Sequence, residues 1–254
     1  MRLKKILGID VGGSGIKGAI VNAKTGEMLT ERYRIPTPAR ATPENVSDVI
    51  TEIARYYAWD GVIGVGFPAV IQNGIARTAA NVDKSFIDFN IEKLISKKTN
   101  CPVTVVNDAD AAGIAELKFG VGKDEKGVVL LITVGTGIGT VLFSNGEMVT
   151  NTELGHLLLN TMTGEQYASD AVRQQLNLSW EEWGKRFNEY LKYMEFLFWP
   201  DLIIIGGGVS KNHDKFMSTI TVKSKVVMAQ LQNNAGMIGA AVSSRRRFKI
   251  FGEV

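Results

Sequence analysis

Two segments about half a chain apart share one pattern: an apolar run, a glycine-rich turn and a second apolar run. The first begins with residues 6–9 and continues through Gly12-Gly13-Ser14-Gly15 to a run over 16–21. The second begins with residues 128–133 and continues through Gly135-Thr136-Gly137 to a run that ends at residue 143. Short apolar runs joined by glycine turns predict β-hairpins. The repetition indicates a duplicated unit, with two related domains that face one cleft.

Strand-like and helix-like segments alternate through the rest of the chain, which predicts an α/β fold. The expected strands lie over residues 28–35, 61–66, 103–106 and 202–205, and the expected helices over 42–57, 89–98, 111–119, 180–199 and 235–246. We expect a small N-terminal lobe of residues 1–108 plus about 235–254 and a large C-terminal lobe of residues 109–234, with the active site in the cleft between them.

The composition excludes several classes of partner. The 29 Lys and Arg residues exceed the 26 Asp and Glu residues only slightly, and the single basic run, Arg245-Arg246-Arg247, is typical of a solvated helix face. No nucleic-acid partner is therefore expected. Cys101 is the only cysteine, so no intrachain disulfide can form. The apolar runs are strand-sized and the N-terminus lacks the apolar stretch of a secretory signal, so we expect a cytoplasmic protein without a membrane partner.

A third glycine cluster, Gly206-Gly207-Gly208, follows another predicted strand. Glycine lets the backbone approach an anion, and successive amides in a tight turn form an anion-binding concavity. Three such turns, with the hydroxyl residues Ser14 and Thr136 in the first two, predict a phosphate site.

Residues 13–18 also match the dinucleotide fingerprint G-x-G-x-x-G. That fingerprint requires a helix to begin at the glycines, so that its N-terminus faces the pyrophosphate. A strand in a hairpin is predicted here instead. An NAD-dependent oxidoreductase therefore remains only a distant alternative.

Several motifs, in order along nearly the whole chain, resemble those of the ROK sugar kinases. Asp10-Val11-Gly12-Gly13-Ser14-Gly15-Ile16-Lys17 resembles the first phosphate signature of that family, and the turn from Gly135 resembles the second. Asn107-Asp108 is similar to the family's strand-end pair, Glu153-Leu154-Gly155-His156 to its sugar-binding motif, and the turn from Gly206 to its nucleotide-side segment. The resemblance implies an actin-like ATPase (ribonuclease H-like) fold of two domains and the transfer of a phosphoryl group to a sugar.

Asp108 is the expected general base for the sugar hydroxyl, because a carboxylate can accept the proton as the bond to phosphorus forms. It follows a strand, and open α/β sheets carry their sites at the carboxyl ends of strands. Aspartate is also a common helix cap, and capping by Asp108 would be compatible with catalysis. Asp110 is interpreted as a first-turn acid that complements the helix dipole.

The resemblance also implies the other site residues. We expect the sugar to be held by Asn81, Asn107, Asp108, Glu153, His156 and Glu165. We expect the donor phosphates to contact Asp10, Gly12, Gly13, Ser14, Gly15, Lys17, Gly135, Thr136, Gly137, Gly207 and Gly208. Asp10 is the predicted Mg²⁺ carboxylate, directly or through water, since Mg²⁺ prefers a few carboxylates together with phosphate oxygens and water.

One departure from the family pattern concerns zinc. Most members carry three cysteines after the Glu-x-Gly-His motif, whereas residues 157–173 contain none, so no zinc is expected. A short, cysteine-poor branch of the family resembles this chain, notably at Phe198-Trp199-Pro200-Asp201-Leu202 and Asn233-Asn234-Ala235-Gly236. That branch uses inorganic polyphosphate as donor.

The resemblance therefore implies a homodimer that phosphorylates D-glucose at the 6-hydroxyl from polyphosphate, with ATP left open as a second donor. Four lysines flank the predicted phosphate turns and are candidates for a polyphosphate groove: Lys17, Lys84, Lys211 and Lys215. The main alternative is an ATP-dependent ROK kinase for another hexose, such as mannose or an amino sugar.

Overall fold

Both halves of the chain build a five-stranded sheet with the same strand order. The structure, a computed structural model, describes residues 4–79, 82–159 and 161–251, the last three by backbone alone. The elements up to residue 119 are β1 (Lys5–Val11), β2 (Ile16–Asn22), β3 (Tyr33–Ile35), α1 (Pro43–Tyr56), β4 (Ile63–Phe67), β5 (Ile71–Gln72), β6 (Ile75–Ala76), β7 (Phe89–Asn90), α2 (Ile91–Thr99), β8 (Val103–Asn107) and α3 (Asp108–Phe119).

The remaining elements follow in chain order. They are β9 (Val128–Val134), β10 (Ile138–Ser144), β11 (Glu147–Val149), β12 (Leu158–Leu159), β13 (Met162–Thr163), α4 (Gly164–Ala168), α5 (Asp170–Gln175), α6 (Trp180–Phe198), β14 (Leu202–Gly207), β15 (Lys225–Met228) and α7 (Ala235–Phe251). Short 3₁₀ helices lie at Lys84–Phe86, Leu154–His156, Gly208–Lys215, Met217–Thr219 and Gln232–Asn234.

The strand order confirms the duplicated hairpin. The first sheet has the order β3-β2-β1-β4-β8, and the second has the order β11-β10-β9-β14-β15. In each sheet the hairpin is antiparallel, and its first strand then pairs in parallel with a later strand. The parallel strands therefore place their carboxyl ends at one edge of each sheet, beside the glycine turns.

Each sheet has its own apolar core. In the second, Trp183, Phe187, Leu191 and Met194 of α6 are fully buried, as their spacing of three and four residues predicts. The helix begins at a capping box formed by Ser179 and Glu182, and it ends before Pro200. The helix predicted over residues 180–199 is therefore confirmed to within one residue.

The predicted strand over residues 28–35 is wrong for most of its length. Regular pairing with β2 is confined to β3, with one isolated bridge between Val21 and Met28. Between them, the hydroxyl of Thr30 accepts from the Ile20 amide at 3.0 Å in place of a backbone carbonyl. A continuous strand was predicted over these positions, but a side-chain hydrogen bond interrupts the backbone ladder between the bridge and β3.

Three glycines allow α7 to lie directly on the first sheet and on α3. A Cβ atom on Gly8 or Gly64 would collide with the carbonyls of Met237 or Ala240. A Cβ atom on Gly239 would likewise collide with the carbonyl of Ala111. The close approach of these backbones therefore requires glycine at all three positions.

The chain forms two compact units, residues 1–115 with 234–254 and residues 116–233. The division falls inside α3, about two helical turns beyond the predicted boundary at residue 108. The first unit holds slightly more residues than the second, whereas it was predicted to be the smaller lobe. Across the described residues, no helix is both long and apolar enough to cross a membrane.

Glu116 connects the two segments where the chain enters and leaves the second unit. Its side chain is almost fully buried, with Oε1 accepting from the Leu231 amide at 2.6 Å and Oε2 from the Val121 amide at 3.2 Å. Hydrogen bonds to a charged group contribute more to stability than those between neutral groups. The carboxylate therefore anchors the end of the second unit to its beginning.

We expect Glu116→Ala to lower the free energy of unfolding by about 2–4 kcal/mol, because two hydrogen bonds to a buried, charged acceptor are lost. The measurement is a denaturant titration followed by circular dichroism. Glu116→Gln is the matched control. Its free energy of unfolding should fall by less, since the side-chain oxygen of glutamine can still accept one of the two hydrogen bonds. An alanine variant as stable as the wild type would show that the two hydrogen bonds contribute nothing.

Candidate active site

The first glycine turn follows β1 and is held from the β3 side by two side chains. Thr37 Oγ1 donates to the Gly12 carbonyl at 2.5 Å, and Arg34 Nη2 donates to the Ser14 carbonyl at 2.5 Å. A planar trans peptide directs its carbonyl and the following N–H to opposite sides. The amide after each of these carbonyls, termed an outward amide below, therefore points away from the side chain that holds the carbonyl. Successive amides of such a turn can form an anion-binding concavity.

The other two glycine turns are held in the same way. The Gly135 carbonyl accepts from the amides of Asp170 and Ala171 at the start of α5, at 3.0 and 3.3 Å. The Gly207 carbonyl accepts from Ser210 Oγ at 2.8 Å. Gly207 is in register with Val134, so the second and third turns lie side by side at the carboxyl edge of the second sheet.

Thr136, the predicted donor contact of the second turn, is exposed, and space is open where a Cβ atom of Gly13, Gly135 or Gly208 would lie. Gly137 has no such room, because a Cβ atom there would contact the Glu165 carboxylate. The turns therefore have free space on their outer side at the positions where a phosphate was predicted to bind.

Asp10 and Lys17 form an ion pair beside the first turn. Lys17 Nζ lies 3.2 Å from Asp10 Oδ2, and both side chains are about four-fifths buried, with 20% and 18% exposure. A Cβ atom on Gly236 would press on the Asp10 carboxyl, so α7 begins against this residue. The pair places a carboxylate and an ammonium group next to the outward amides.

Asn107 and Asp108 lie at the carboxyl end of β8, at the same sheet edge as the first turn. Gly66 of β4 is in register with Asp10 on one side and with Val106 on the other. Two strand spacings therefore separate β1 from β8, roughly 10 Å.

The helix cap at this point differs from the prediction. Asn107 Oδ1 accepts from the Asp110 amide at 3.0 Å and caps α3, whereas Asp108 is the first helical residue. The Asp108 carboxylate accepts from the amide of Ala109 at 2.9 Å and is half-buried. Asn107 therefore caps the helix, and it also donates through Nδ2 to the Ala69 carbonyl at 3.1 Å.

The structure brings three predicted sugar residues together in the second unit. His156 lies between two carboxylates, with Nε2 at 3.5 Å from Glu153 Oε2 and Nδ1 at 3.5 Å from Glu165 Oε1. Glu165 also accepts from the Ile138 amide at 3.4 Å, directly after the second glycine turn. The cluster presents several donors and acceptors in fixed directions, which suits the hydroxyls of a sugar.

A buried threonine of β10 positions this cluster. Thr140 Oγ1 donates to the Thr152 carbonyl at 2.7 Å and accepts from the Leu154 amide at 3.0 Å, which fixes the backbone on both sides of Glu153. Gly155 lies against the carbonyl of Ile138, where a Cβ atom would collide. The glycine of the Glu-x-Gly-His motif is therefore required by the close approach of two backbone segments.

The protonation of Glu153 responds to this environment. Burial raises the pKa of Glu153 above its ordinary value, His156 lowers it in part, and the nearby Glu165 carboxylate raises it again. The protonated form of Glu153 is thereby favoured relative to a solvated glutamate.

Asn81, the remaining predicted sugar residue, lies outside the described residues. Four groups that position the site were not predicted from the sequence: Arg34, Thr37, Thr140 and the start of α5. The threonines and the helix start act through hydrogen bonds to distant backbone segments, for which the sequence carries no local signal.

No group of three or more His, Cys, Asp or Glu side chains in the described ranges is arranged to hold a metal ion. Asp10 contributes a carboxylate next to the first turn. A single carboxylate fits Mg²⁺ that is also bound by phosphate oxygens and water.

Comparison with known proteins agrees with this geometry. The sequence pattern of the ROK family matches residues 6–173. The polyphosphate glucokinase of Mycobacterium tuberculosis (strain CDC 1551 / Oshkosh) is 44% identical over 238 residues, which cover 93% of this chain and 90% of that protein.

Two solved structures extend the comparison. The inorganic polyphosphate/ATP-glucomannokinase of Arthrobacter sp. strain KM has a TM-score of 0.92 and 42% identity, over 96% of this chain and 99% of that chain. A ROK family glucokinase from Streptomyces griseus, solved with glucose and AMPPNP, has a TM-score of 0.82 and 23% identity, over 95% and 99% of the two chains. The predicted actin-like fold is thereby confirmed, and the chain belongs to the ROK family.

Proposed function

We propose that this protein is a kinase that transfers a phosphoryl group from inorganic polyphosphate to the 6-hydroxyl of D-glucose, with Asp108 as general base. The observation that carries the proposal is the common sheet edge of Asp108 and the first glycine turn. The outward amides of that turn suit a phosphoryl group, and a carboxylate at the same edge suits its acceptor hydroxyl.

Asp108 accepts the proton of the sugar hydroxyl while the oxygen attacks phosphorus, and the bond from phosphorus to the next bridging oxygen breaks. The shortened polyphosphate leaves with the bonding electrons. Asn107 supports Asp108 by capping α3, which fixes the backbone at the end of β8. The amides of the first glycine turn and the ammonium group of Lys17 stabilise negative charge on the transferred group.

The sugar hydroxyls are held by Glu153, His156 and Glu165. The hydrogen bonds of Thr140 and the close packing of Gly155 support this assignment, because they keep the cluster rigid before the sugar arrives. A rigid cluster loses little conformational entropy on binding.

Mg²⁺ fits the donor end, where Asp10 would hold it directly or through water. When bound, the ion supplies positive charge to the phosphate oxygens. No zinc is proposed, since residues 157–173 lack the cysteines of the zinc-binding members. We also propose that the protein acts in the cytoplasm as a homodimer, on the basis of the family resemblance.

The donor assignment is supported by the named relatives, which include the mycobacterial polyphosphate glucokinase and the Arthrobacter polyphosphate/ATP-glucomannokinase. The second of these names also includes ATP as a donor and mannose as an acceptor. An ATP-dependent kinase for another hexose is therefore the alternative to be separated by experiment.

We expect the purified protein to form glucose 6-phosphate from long-chain polyphosphate in the presence of Mg²⁺. The measurement couples product formation to glucose-6-phosphate dehydrogenase and compares polyphosphate with ATP as donors. Mannose phosphorylation is followed by direct detection of the sugar phosphate.

Removal of Mg²⁺ with a chelator should abolish turnover, and adding back Mg²⁺ without zinc should restore it. Glucose phosphorylation from ATP with none from polyphosphate of any length would contradict the proposed donor and favour the alternative. Activity only with mannose or an amino sugar would contradict the proposed acceptor.

A further inference from the structure

Three charged side chains form a row across the first sheet, on adjacent strands in direct register. Asp10 on β1 opposes Lys17 on β2, and Lys17 opposes Arg34 on β3. Side chains of directly opposed residues lie on the same face, with Cβ atoms roughly 5 Å apart. The row runs from the middle of the sheet to its edge strand, beside the first glycine turn.

The net positive charge of this row resides on Arg34. Asp10 and Lys17 offset each other through their ion pair at 3.2 Å. Arg34 is exposed, and in the described part of the chain it makes no ion pair with a carboxylate. A guanidinium group with no acidic partner next to an anion-binding turn is available to an anion.

The guanidinium group lies directly on the turn. It donates through Nη2 to the Ser14 carbonyl, and a Cβ atom on Gly15 would collide with it. Arginine has five N–H donors in a planar fork, so this one hydrogen bond leaves most of them unused. The remaining donors can bind a phosphate bidentately, as arginine does at phosphate sites.

The edge strand that carries Arg34 is firmly anchored although it has only three residues. The Tyr57 hydroxyl accepts from the Tyr33 amide at 3.1 Å and lies 2.9 Å from the Gly18 carbonyl of β2. The Tyr33 ring also stacks on Tyr56, with ring centroids 3.9 Å apart. This anchoring fixes the backbone of Arg34 and so limits the entropy lost when its side chain binds a ligand.

We propose that Arg34 binds a phosphate of the donor chain beyond the transferred group and thereby favours inorganic polyphosphate over ATP. The proposal rests on the proposed function, since it assumes that the first turn holds the donor. The negative charge of ATP ends with its triphosphate, after which ribose and adenine follow. Polyphosphate carries negative charge on every further unit, so only polyphosphate continues to gain from a cation at the sheet edge.

We expect Arg34→Ala to raise the Michaelis constant for long-chain polyphosphate about tenfold or more, the loss typical of a charge-assisted hydrogen bond. The constants for ATP and for inorganic triphosphate should change much less. In a salt series, the slope of log KM against log salt for long-chain polyphosphate should fall by about one, because one phosphate contact is lost. For Arg34→Lys, the increase in the Michaelis constant for long-chain polyphosphate should be smaller than for Arg34→Ala, since lysine keeps the charge but not the planar fork of donors.

Arg55→Ala is the matched control, because it removes an exposed arginine from α1 in the same unit and should leave all three donors unchanged. If Arg34→Ala does not fold, Arg34→Lys and Arg34→Gln carry the comparison. Equal losses with ATP and long-chain polyphosphate would mean that Arg34 only holds the turn, which overturns the proposal. If Arg34→Ala keeps the wild-type preference for long-chain polyphosphate, the proposal for Arg34 is overturned as well. Polyphosphate then remains the proposed donor. A wild-type protein inactive with polyphosphate overturns this proposal and the proposed donor together.

Discussion

Asp108→Asn is expected to lower turnover by about two orders of magnitude or more, because an amide cannot accept the proton of the sugar hydroxyl. The fold and glucose affinity should change little. The asparagine oxygen can still accept from the amide of Ala109, as the carboxylate does at 2.9 Å. The measurements are kcat with saturating glucose and donor, and glucose binding followed by tryptophan fluorescence.

Asp110→Asn is the matched control for this variant. The two aspartates lie in the first turn of α3, but Asp110 is only 3% exposed. Its replacement should affect stability and leave turnover per folded molecule close to the wild type. A general base contributes at least roughly 100-fold to turnover. If Asp108→Asn kept more than a tenth of wild-type turnover, its loss would fall well short of that value, and Asp108 would not be the base.

Gly239→Ala is expected to destabilise the protein by about 3 kcal/mol, because its Cβ atom would collide with the carbonyl of Ala111 and force α3 and α7 apart. Helix propensity alone predicts the opposite sign, since alanine is more favourable than glycine inside a helix by about 1 kcal/mol. Thermal and denaturant unfolding of the purified variant therefore distinguish tertiary packing from local preference.

Gly13→Ala is the matched control, with the same added methyl group at a position where no atom lies within 4 Å. This variant should unfold like the wild type. Its Michaelis constant for the donor should rise several-fold, since the methyl group would occupy space beside the outward amides. A Gly239→Ala variant as stable as Gly13→Ala would show that α3 and α7 can separate without cost.

The sequence predicted individual segments of the candidate site. The glycine turns after β1, β9 and β14 and the Asn107-Asp108 pair after β8 were found because each is a local pattern at the end of a strand. The turn residues have the conformational freedom or the hydrogen-bonding groups that a phosphate requires. Such patterns are contained in a few consecutive residues, so no tertiary information is needed to recognise them.

The third strand shows where local reasoning failed. A continuous strand was predicted over 28–35, yet regular pairing is confined to Tyr33–Ile35. Thr30 and Tyr57 supply side-chain hydrogen bonds to backbone groups that a longer strand would have satisfied. Tyr57 comes from the end of α1, so its role at β3 depends on packing between segments that the sequence does not bring together.

By itself, the sequence determined the α/β class, the duplicated hairpins and the residue types at the turns, because periodicity and glycine placement act over short distances along the chain. Only the tertiary structure decided which groups hold those turns in place. Arg34, Thr37 and the start of α5 bind carbonyls of turns from which they are distant in sequence. The same is true of His156, which lies between Glu153 and Glu165 only because Thr140 and Gly155 fix the backbone there. These contacts arise when folding closes long loops, and no short window of residues contains both partners.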